Sequence, residues 1–296
     1  MAQNKELVEQ YFKENVFKDS TQKEYQKHFN FLQNKIDFKE DEEKLIEYFK
    51  NAVQNPNTRS NKLFPILQLR KFHKIPYQKL EEYRTDLKNE IRVHRLKKLK
   101  EDKSKLMSYT ELLNELDKLH GIPFIVNYMW IFHALRNADL NAIIKHMTPT
   151  DDDNVIVYDP NADTNNKQVV FYIRNYKTAN TYGDKKIVVD NNRFYNELKS
   201  LERKDGEPLF MVKYGERATA GSANTYMNKM AIGGLNETKI TKIVMKHWID
   251  AKNFAMIGKM SQDRGTGLAT LYSSYNLYDK EIKHDAIKKE LNLRFK

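Results

Sequence analysis

The segment "IPFIVNYMWIFHALRNADLNAI", residues 122–143, is the most apolar stretch of this 296-residue chain and predicts a buried helix. Arg136 interrupts its apolar character. A buried guanidinium is costly unless it is paired, and Asp139 follows three residues later, on the same face of a helix. Either the two residues form an internal ion pair that serves only the fold, or the carboxylate holds an arginine that is aimed at an anion.

The chain before this segment predicts a mainly helical domain. Ser20 and Thr21 are candidate N-caps, with Glu24 at capping-box spacing, and residues 55–60 are typical of a turn. A fresh capping signal at Ser108 begins another helix, which Gly121 is expected to end. The predicted helices cover 20–36, 41–53, 61–75, 88–105 and 108–121.

Alternating apolar residues after this segment predict three short strands, at 154–159, 168–176 and 185–190, joined by turn-rich segments. Helical patterns then continue to the end of the chain. The expected fold class is therefore mainly α with a small antiparallel β-sheet (α+β). We expect a helical domain at 1–100, a basic, polar linker at 101–107, and a larger domain at 108–296 that ends in a tail helix.

Charge and composition limit the functional classes. The net charge is +11 and the pI about 9.3, which favours a polyanionic partner such as nucleic acid. Cysteine is absent, and no apolar run approaches the ~20 residues that span a bilayer. We expect a soluble, intracellular protein with no membrane association. No nucleotide-binding, metal-binding or hydrolase motif is present, so neither a metal nor a cofactor is predicted.

A cluster of positive charge lies at residues 88–105, which hold eight Lys or Arg and three Asp or Glu. Either this is a solvated helix face or it follows a nucleic-acid backbone. Lys177 lies in "RNYKTANTYGD", at the end of one predicted strand and the start of a hairpin turn. A lysine in a turn is usually only solvated, so its position alone does not indicate a role.

The order of these elements resembles the tyrosine recombinase and integrase family, over roughly residues 15–280. In that family a "GLRxxEL" segment carries the first catalytic arginine, and "ALRNADL" matches it at Arg136. Lys177 in "YKT" matches the family's hairpin lysine, and "GEPLFM" resembles its "xxxLF" segment. A late tyrosine completes the order.

The remaining family motifs match in spacing but depart in residue type. Aligned with "HxLRH", the segment "ITKIVMKHWIDA" has Ile243 for the first histidine, Lys246 for the second arginine, and His247 for the last histidine. Thr266 replaces the histidine of the later "GH" motif. The family tyrosine lies nine residues after that position, which selects Tyr275 over Tyr272.

The resemblance implies DNA cleavage and rejoining through a 3′-phosphotyrosyl intermediate, without a metal or cofactor. Tyr275 would be the nucleophile, Arg136 would stabilise negative charge on the phosphate, and Lys177 would be the general acid. Lys246 would be a second cation without the bidentate fork of arginine. His247 and Arg264 could compensate for the altered positions, with Asp139 and Thr266 as structural support.

The resemblance implies that the partner is double-stranded DNA, that the domain at 1–100 is a DNA-binding domain, and that both domains contact the DNA. The residues expected to contact DNA are basic and fall on the predicted helices of the first domain: Arg70, Lys71, Arg92, Arg95, Lys97, Lys98 and Lys100. The tail at 278–296 either assembles a homotetramer on DNA by docking on a neighbouring protomer, or folds back on its own domain.

Two other functions remain open. A recombinase-fold protein that binds DNA but has lost catalysis would explain the altered positions Ile243, Lys246 and Thr266. A basic RNA-binding protein would explain the charge, and it would form no covalent DNA adduct. The leading hypothesis is a site-specific recombinase or integrase of a virus or mobile element.

Overall fold

The computed structural model describes residues 2–149, 153–163, 167–211 and 215–275. Its contacts divide the chain into two compact units, unit 1 (Met1–Asp102) and unit 2 (Lys103–Lys296). Each unit encloses its own hydrophobic core.

Unit 1 is helical in its described residues. Its core is rich in aromatic side chains, with Phe29, Phe38 and Phe49 fully buried. Asp41 caps the helix that begins at Glu42, and Asn55 caps the helix that begins at Pro56, by accepting backbone hydrogen bonds, as short polar side chains do at helix N-termini. The helices are α1 (Ala2–Glu14), α2 (Asp19–Leu32), α3 (Glu42–Ala52), α4 (Pro56–Phe72) and α5 (Gln78–Lys105).

Three predicted boundaries in this part differ from the structure. Helix α2 begins at Asp19, so Ser20 and Thr21 lie inside it and do not cap it. Residues 55–60 are not a turn, because Asn55 caps α4 and Pro56 takes its first position, where proline's fixed φ favours a helix. The expected linker at 101–107 is helical through Lys105, since α5 continues past residue 100.

Unit 2 combines helices with one sheet. A capping box between Ser108 and Glu111 begins its first helix, as the sequence predicted. A short 3-10 helix covers Ile232–Gly234. The other elements are α6 (Tyr109–Leu116), α7 (Gly121–His133), α8 (Asn137–Leu140), β1 (Ile143–Lys145), β2 (Val155–Val157), β3 (Gln168–Ile173), α9 (Ala179–Tyr182), β4 (Lys185–Asp190), α10 (Asn192–Lys199), α11 (Ala220–Lys229), α12 (Glu237–Asp250), α13 (Phe254–Arg264) and α14 (Leu268–Tyr275).

The mainly helical fold with one small sheet is confirmed, but the sheet is mixed and not purely antiparallel. Its order is β1-β2-β3-β4, with β1 parallel to β2 and the other pairs antiparallel. The prediction missed β1, which begins at Ile143, the last residue of the apolar segment at 122–143. Three residues with one fully buried side chain carry too little alternation to indicate a strand.

The apolar segment is not one continuous helix. Helix α7 ends at His133, and Ala134 adopts a left-handed conformation with φ +50°. Arg136 therefore lies in extended backbone before α8, where the Asp139 carboxylate accepts from its backbone N–H. Gly121 likewise begins α7 and does not end α6, which stops at Leu116. A helix thus ends near Ala134, where the sequence predicted a continuous helix, and another begins at Gly121, where the sequence predicted a helix end.

None of the described helices combines the length and the apolar character that crossing a membrane requires.

Candidate active site

Arg264 contacts both Arg136 and Tyr275, which are the first and last residues of the family pattern. It is the last residue of α13 and only 3% exposed. Its Nη2 donates to the Tyr275 hydroxyl at 2.5 Å, and its backbone carbonyl accepts from Arg136 Nη1 at 2.8 Å. Residues 128 and 11 positions away thus meet at one buried arginine.

Glu237 compensates the charge of Arg264. It is the first residue of α12, where the helix dipole favours a carboxylate. One carboxylate oxygen forms an ion pair with Arg264 Nη2, and the other accepts from the backbone N–H of Asn137 at 3.1 Å. Because Asn137 directly follows Arg136, Glu237 connects Arg264 to the backbone beside Arg136. We call Arg136, Glu237, Arg264 and Tyr275, together with the ion pair of Asp139 and Lys185, the cluster.

Asp139 and Lys185 form a buried ion pair beside Arg136. Asp139 is 0% exposed and Lys185 9% exposed. Lys185 Nζ lies 3.2 Å from Asp139 Oδ2, donates to the carbonyl of Asp263 at 2.9 Å, and lies 4.0 Å from the ring centre of Tyr176. Burial lowers the pKa of Lys185, and the Asp139 carboxylate opposes that shift. A buried lysine so held is a candidate proton donor.

The turn between β3 and β4 packs on the residue that follows Arg264. Thr178 Oγ1 donates to the carbonyl of Gly265 at 2.5 Å, and the Tyr176 hydroxyl donates to Gly183 at 2.6 Å, which closes the turn. Lys177 lies between these two residues and is exposed. Lys185, in contrast, is buried inside the cluster.

Asn154 fixes the start of this turn relative to α8. It is 2% exposed. Its side-chain oxygen accepts from the backbone N–H groups of Arg174 and Asn175, and its amide donates to the carbonyl of Asn175 at 3.1 Å. The same amide reaches the carbonyl of Asp139 at 3.4 Å. One buried amide thereby connects the Asp139 backbone to the turn that carries Lys177.

Thr266 and Tyr272 have mainly structural contacts. Thr266 is 8% exposed, its N–H donates to Ser261 and its carbonyl accepts from the Ser261 hydroxyl. Tyr272 is 5% exposed and packs in the unit 2 core. Tyr275 is partly exposed at the end of α14.

The structure does not bring Lys246 and His247 to this cluster. Lys246 pairs with Asp250 at 2.6 Å, and the His247 ring stacks on Tyr109 with centroids 3.9 Å apart. Both residues line a cavity against residues 106–111. They lie nine or ten residues along α12 from Glu237, which corresponds to about 14 Å. Ile243 is 3% exposed and packs in the core.

A second group of polar side chains surrounds Asp263, whose carbonyl accepts from Lys185, and lies at the ends of α7 and α13. His133 Nδ1 lies 2.9 Å from Asp263 Oδ2, and Lys259 also pairs with this carboxylate. Burial lowers the pKa of His133, which outweighs the opposite effect of Asp263. The pKa of Asp263 is also lowered, against the effect of burial, by its bonds to His133 and Lys259.

His133 is expected to make unit 2 less stable as the pH falls below about 6.5, the usual histidine pKa. The unfolded state binds a proton there before the folded state does, so stability is lost at up to about 1.4 kcal/mol per pH unit until the folded pKa is reached. Urea unfolding followed by tryptophan fluorescence reports unit 2, because Trp130 and Trp248 both lie in it. His133→Gln should flatten the slope between pH 7 and 5.

His247→Gln is the matched control, because burial also lowers the pKa of this less buried histidine. It should change the slope less than His133→Gln does. Equal slopes in the wild type and His133→Gln would contradict the assignment.

Sequence reasoning missed Lys185 and Glu237. A signal existed for Lys185, because strict alternation in "KKIVVD" puts it on the same face as Ile187 and Val189, which are buried. For Glu237 the sequence signal was ambiguous. An acidic residue in the first turn of a helix is common because it stabilises the helix dipole, so its position alone does not indicate a buried ion pair.

The structure buries one of the two residues on α4 that were predicted to contact DNA. Arg70 is 2% exposed, and its guanidinium donates to the carbonyls of Phe38, Glu40 and Pro76. It cannot contact DNA from that position, so its prediction is wrong. Lys71 stays partly exposed but is paired with Glu81 at 2.5 Å. Helix α4 has 17 residues, of which eight are buried, so it contributes a large part of the unit 1 core.

The basic stretch of α5 keeps part of its predicted surface. Arg92 and Lys97 are exposed. The side chains of Arg95, Lys98 and Lys100 lie outside the described residues, as does the whole of the tail at 278–296.

Unit 1 carries a basic surface that the sequence analysis did not single out. Lys23, Lys27 and Phe31 follow one another at intervals of four along α2, and all three are exposed. Lys35 and Lys62 both approach the Phe31 ring, with ammonium-to-centroid distances of 3.7 and 3.4 Å. Burial and the nearby Lys35 lower the pKa of Lys62. We call these five residues the Phe31 surface.

Within the described ranges, no group of three or more histidine, aspartate or glutamate side chains is arranged to hold a metal ion.

Comparison with known proteins adds no support to the family resemblance, which rests on the residues described above. No family model matches the chain, and no curated protein and no solved structure matches it significantly.

Proposed function

We propose that this protein cleaves and rejoins DNA as a tyrosine recombinase, with Tyr275 as the nucleophile. The observation that carries the proposal is the contact set of Arg264, whose side chain bonds the Tyr275 hydroxyl while its carbonyl bonds the Arg136 guanidinium. The family resemblance selected Tyr275 and Arg136 from sequence alone, far apart in the chain. Their meeting at one buried residue supports the pairing.

The reaction is a transesterification at phosphorus. The Tyr275 oxygen forms a bond to the phosphorus atom, the bond from phosphorus to the 5′-oxygen breaks, and the phenol proton passes to solvent. A lysine ammonium protonates the leaving 5′-oxygen and regains its proton from solvent. In the reverse step a free 5′-hydroxyl attacks the phosphotyrosine, so neither oxidation nor an energy source is required.

Cations at the cluster suit the charge that develops on the phosphate. The Arg136 guanidinium can grip two non-bridging oxygens at once. Lys177 on the exposed turn and Lys185 inside the cluster are the two candidate proton donors. Lys246 and His247, which the resemblance also implied, contact Asp250 and Tyr109 instead, so we assign them no step.

DNA would bind through phosphate contacts on exposed basic residues. In unit 1 the Phe31 surface combines four lysines, two of which lie over the Phe31 ring, and this concentration of positive charge suits a phosphate backbone. Arg92 and Lys97 add positive charge on α5.

Covalent trapping tests the proposal. Duplexes that cover the DNA flanking the protein's own coding sequence, with 5′-bridging phosphorothiolates, are incubated with wild type, Tyr275→Phe and Tyr272→Phe. A sulfur leaving group departs without a proton, so the broken strand cannot rejoin. We expect a detergent-resistant protein–DNA adduct from wild type and Tyr272→Phe, and none from Tyr275→Phe.

Other outcomes select between the alternatives. An adduct from Tyr275→Phe would contradict the assignment of the nucleophile. Tight duplex binding without any adduct would favour the second candidate, a DNA-binding protein of the recombinase fold that has lost catalysis. The substitutions at Ile243 and Thr266 and the distant position of Lys246 favour that candidate. Preference for structured RNA over duplex DNA would favour the RNA-binding alternative.

A further inference from the structure

Hydrogen bonds fix the orientation of the Arg264 guanidinium. Its Nη1 donates to the carbonyl of Ala134 at 2.6 Å, and its Nη2 bonds both the Glu237 carboxylate and the Tyr275 hydroxyl. An Nη atom carries two hydrogens, so both donors of Nη2 are used. The arginine therefore presents one defined edge to the tyrosine, and the guanidinium carbon also lies 4.7 Å from the tyrosine ring centre.

Glu237 determines which edge of the Arg264 guanidinium faces the Tyr275 hydroxyl. Its side chain is 15% exposed and that of Arg264 3%, so the pair is largely shielded from water. The second oxygen of Glu237 is tied to the N–H of Asn137, the residue after Arg136. One carboxylate thus connects the support of Tyr275 to the backbone that holds Arg136.

We propose that Glu237 is a positioning residue for the nucleophile, which sets the place of the Tyr275 hydroxyl relative to Arg136 by orienting Arg264. The inference rests on the proposed function in assigning Tyr275 as the nucleophile. It goes beyond that function by giving a role to a residue outside the motifs of the family pattern. A displacement of about 1 Å at a reacting atom can cost about 100-fold in rate.

The first measurement needs no DNA. Protein labelled with 3-fluorotyrosine gives a ¹⁹F line for Tyr275, identified among the 17 tyrosines by its loss in Tyr275→Phe. Glu237→Gln and Glu237→Ala should shift this line. Glu197→Gln and Glu197→Ala are the matched controls, because Glu197 has a side chain 12% exposed and bonds a backbone N–H in the same unit, away from the cluster. They should leave the Tyr275 line in place.

The second measurement is the rate of adduct formation with the trapping duplexes, at 25 °C where each variant remains folded by circular dichroism. We expect a loss of about 10-fold in Glu237→Gln, which keeps an acceptor oxygen, and of about 100-fold in Glu237→Ala. The Kd for the duplex should stay within about twofold, because only the reacting atom is displaced.

An unshifted Tyr275 line in both Glu237 variants would overturn the inference. So would adduct rates that fall only in proportion to DNA affinity. If the wild type forms no adduct, the proposed function fails by itself, and the fluorine spectra still decide whether Glu237 positions Tyr275.

Discussion

Lys185→Met is expected to lower the unfolding free energy of unit 2 by about 3–5 kcal/mol. The substitution leaves the carboxylate of Asp139, which is 0% exposed, without the cation that lies 3.2 Å from it. Removing one partner of a buried ion pair costs this much because the remaining charge stays desolvated. Urea unfolding followed by tryptophan fluorescence measures the change in unit 2.

Two controls separate the ion pair from other effects. Lys186→Met removes the neighbouring lysine, which points to the opposite, exposed face of β4, and should change stability by less than about 0.5 kcal/mol. Adding Asp139→Asn to Lys185→Met should recover much of the loss, since neither charge of this buried pair then remains. If the double variant is as unstable as Lys185→Met, the pair is not the cause.

The same variant separates the two candidate proton donors. If Lys185 protonates the leaving oxygen, Lys185→Met should slow cleavage of ordinary phosphodiester DNA by about 10²–10⁴-fold. With a bridging phosphorothiolate the loss should largely disappear, because a thiolate leaves without a proton. The same recovery in Lys177→Met, and not in Lys185→Met, would assign the role to the exposed turn.

Gly265→Ala is expected to destabilise unit 2 by about 2–4 kcal/mol, from a left-handed backbone and a steric clash together. Gly265 has φ +59°, and an added Cβ would lie 2.6 Å from the Tyr176 ring, where atoms cannot overlap. The ring also covers Lys185, so its displacement should disturb the cluster and slow adduct formation.

Gly234→Ala provides the comparison for this substitution. Gly234 has a similar φ of +68°, but no atom lies within 4 Å of the added Cβ. It should therefore cost only the backbone strain, about 1 kcal/mol. Equal losses in the two variants would mean that the contact with Tyr176 contributes nothing.

Local patterns predicted those features that depend on neighbours in the sequence. The capping box at Ser108, the basic helix through residues 88–105 and two antiparallel pairs of strands follow from side chains within a few positions of each other. The predicted helical character of both parts of the chain has the same origin. Where boundaries failed, one residue type fits two structures. Asparagine suits a turn or a helix N-cap, as at Asn55, and Gly121 begins a helix where glycine was expected to end one.

The candidate site was only partly predictable, because its contacts join distant positions. The family pattern pointed to Arg136 and Tyr275, and Arg264 was considered only as a compensating charge; the structure brings these three together. It also pointed to Lys246 and His247, which the structure puts farther along α12. Aligning motifs by counting residues assumes that the corresponding helices of this chain and of the family begin at equivalent positions. No local sequence signal tests that assumption.

The sequence by itself determined the helical character, the basic balance, the buried segment at 122–143 and the order of its polar residues. Tertiary structure alone decided that this segment breaks at Ala134, that Arg70 is buried, and that Lys185 and Glu237 join the cluster. The physical reason is that a charge in a protein interior is stable only where packing brings its partners. Arg136 and Arg264 acquire theirs from segments more than 100 residues apart.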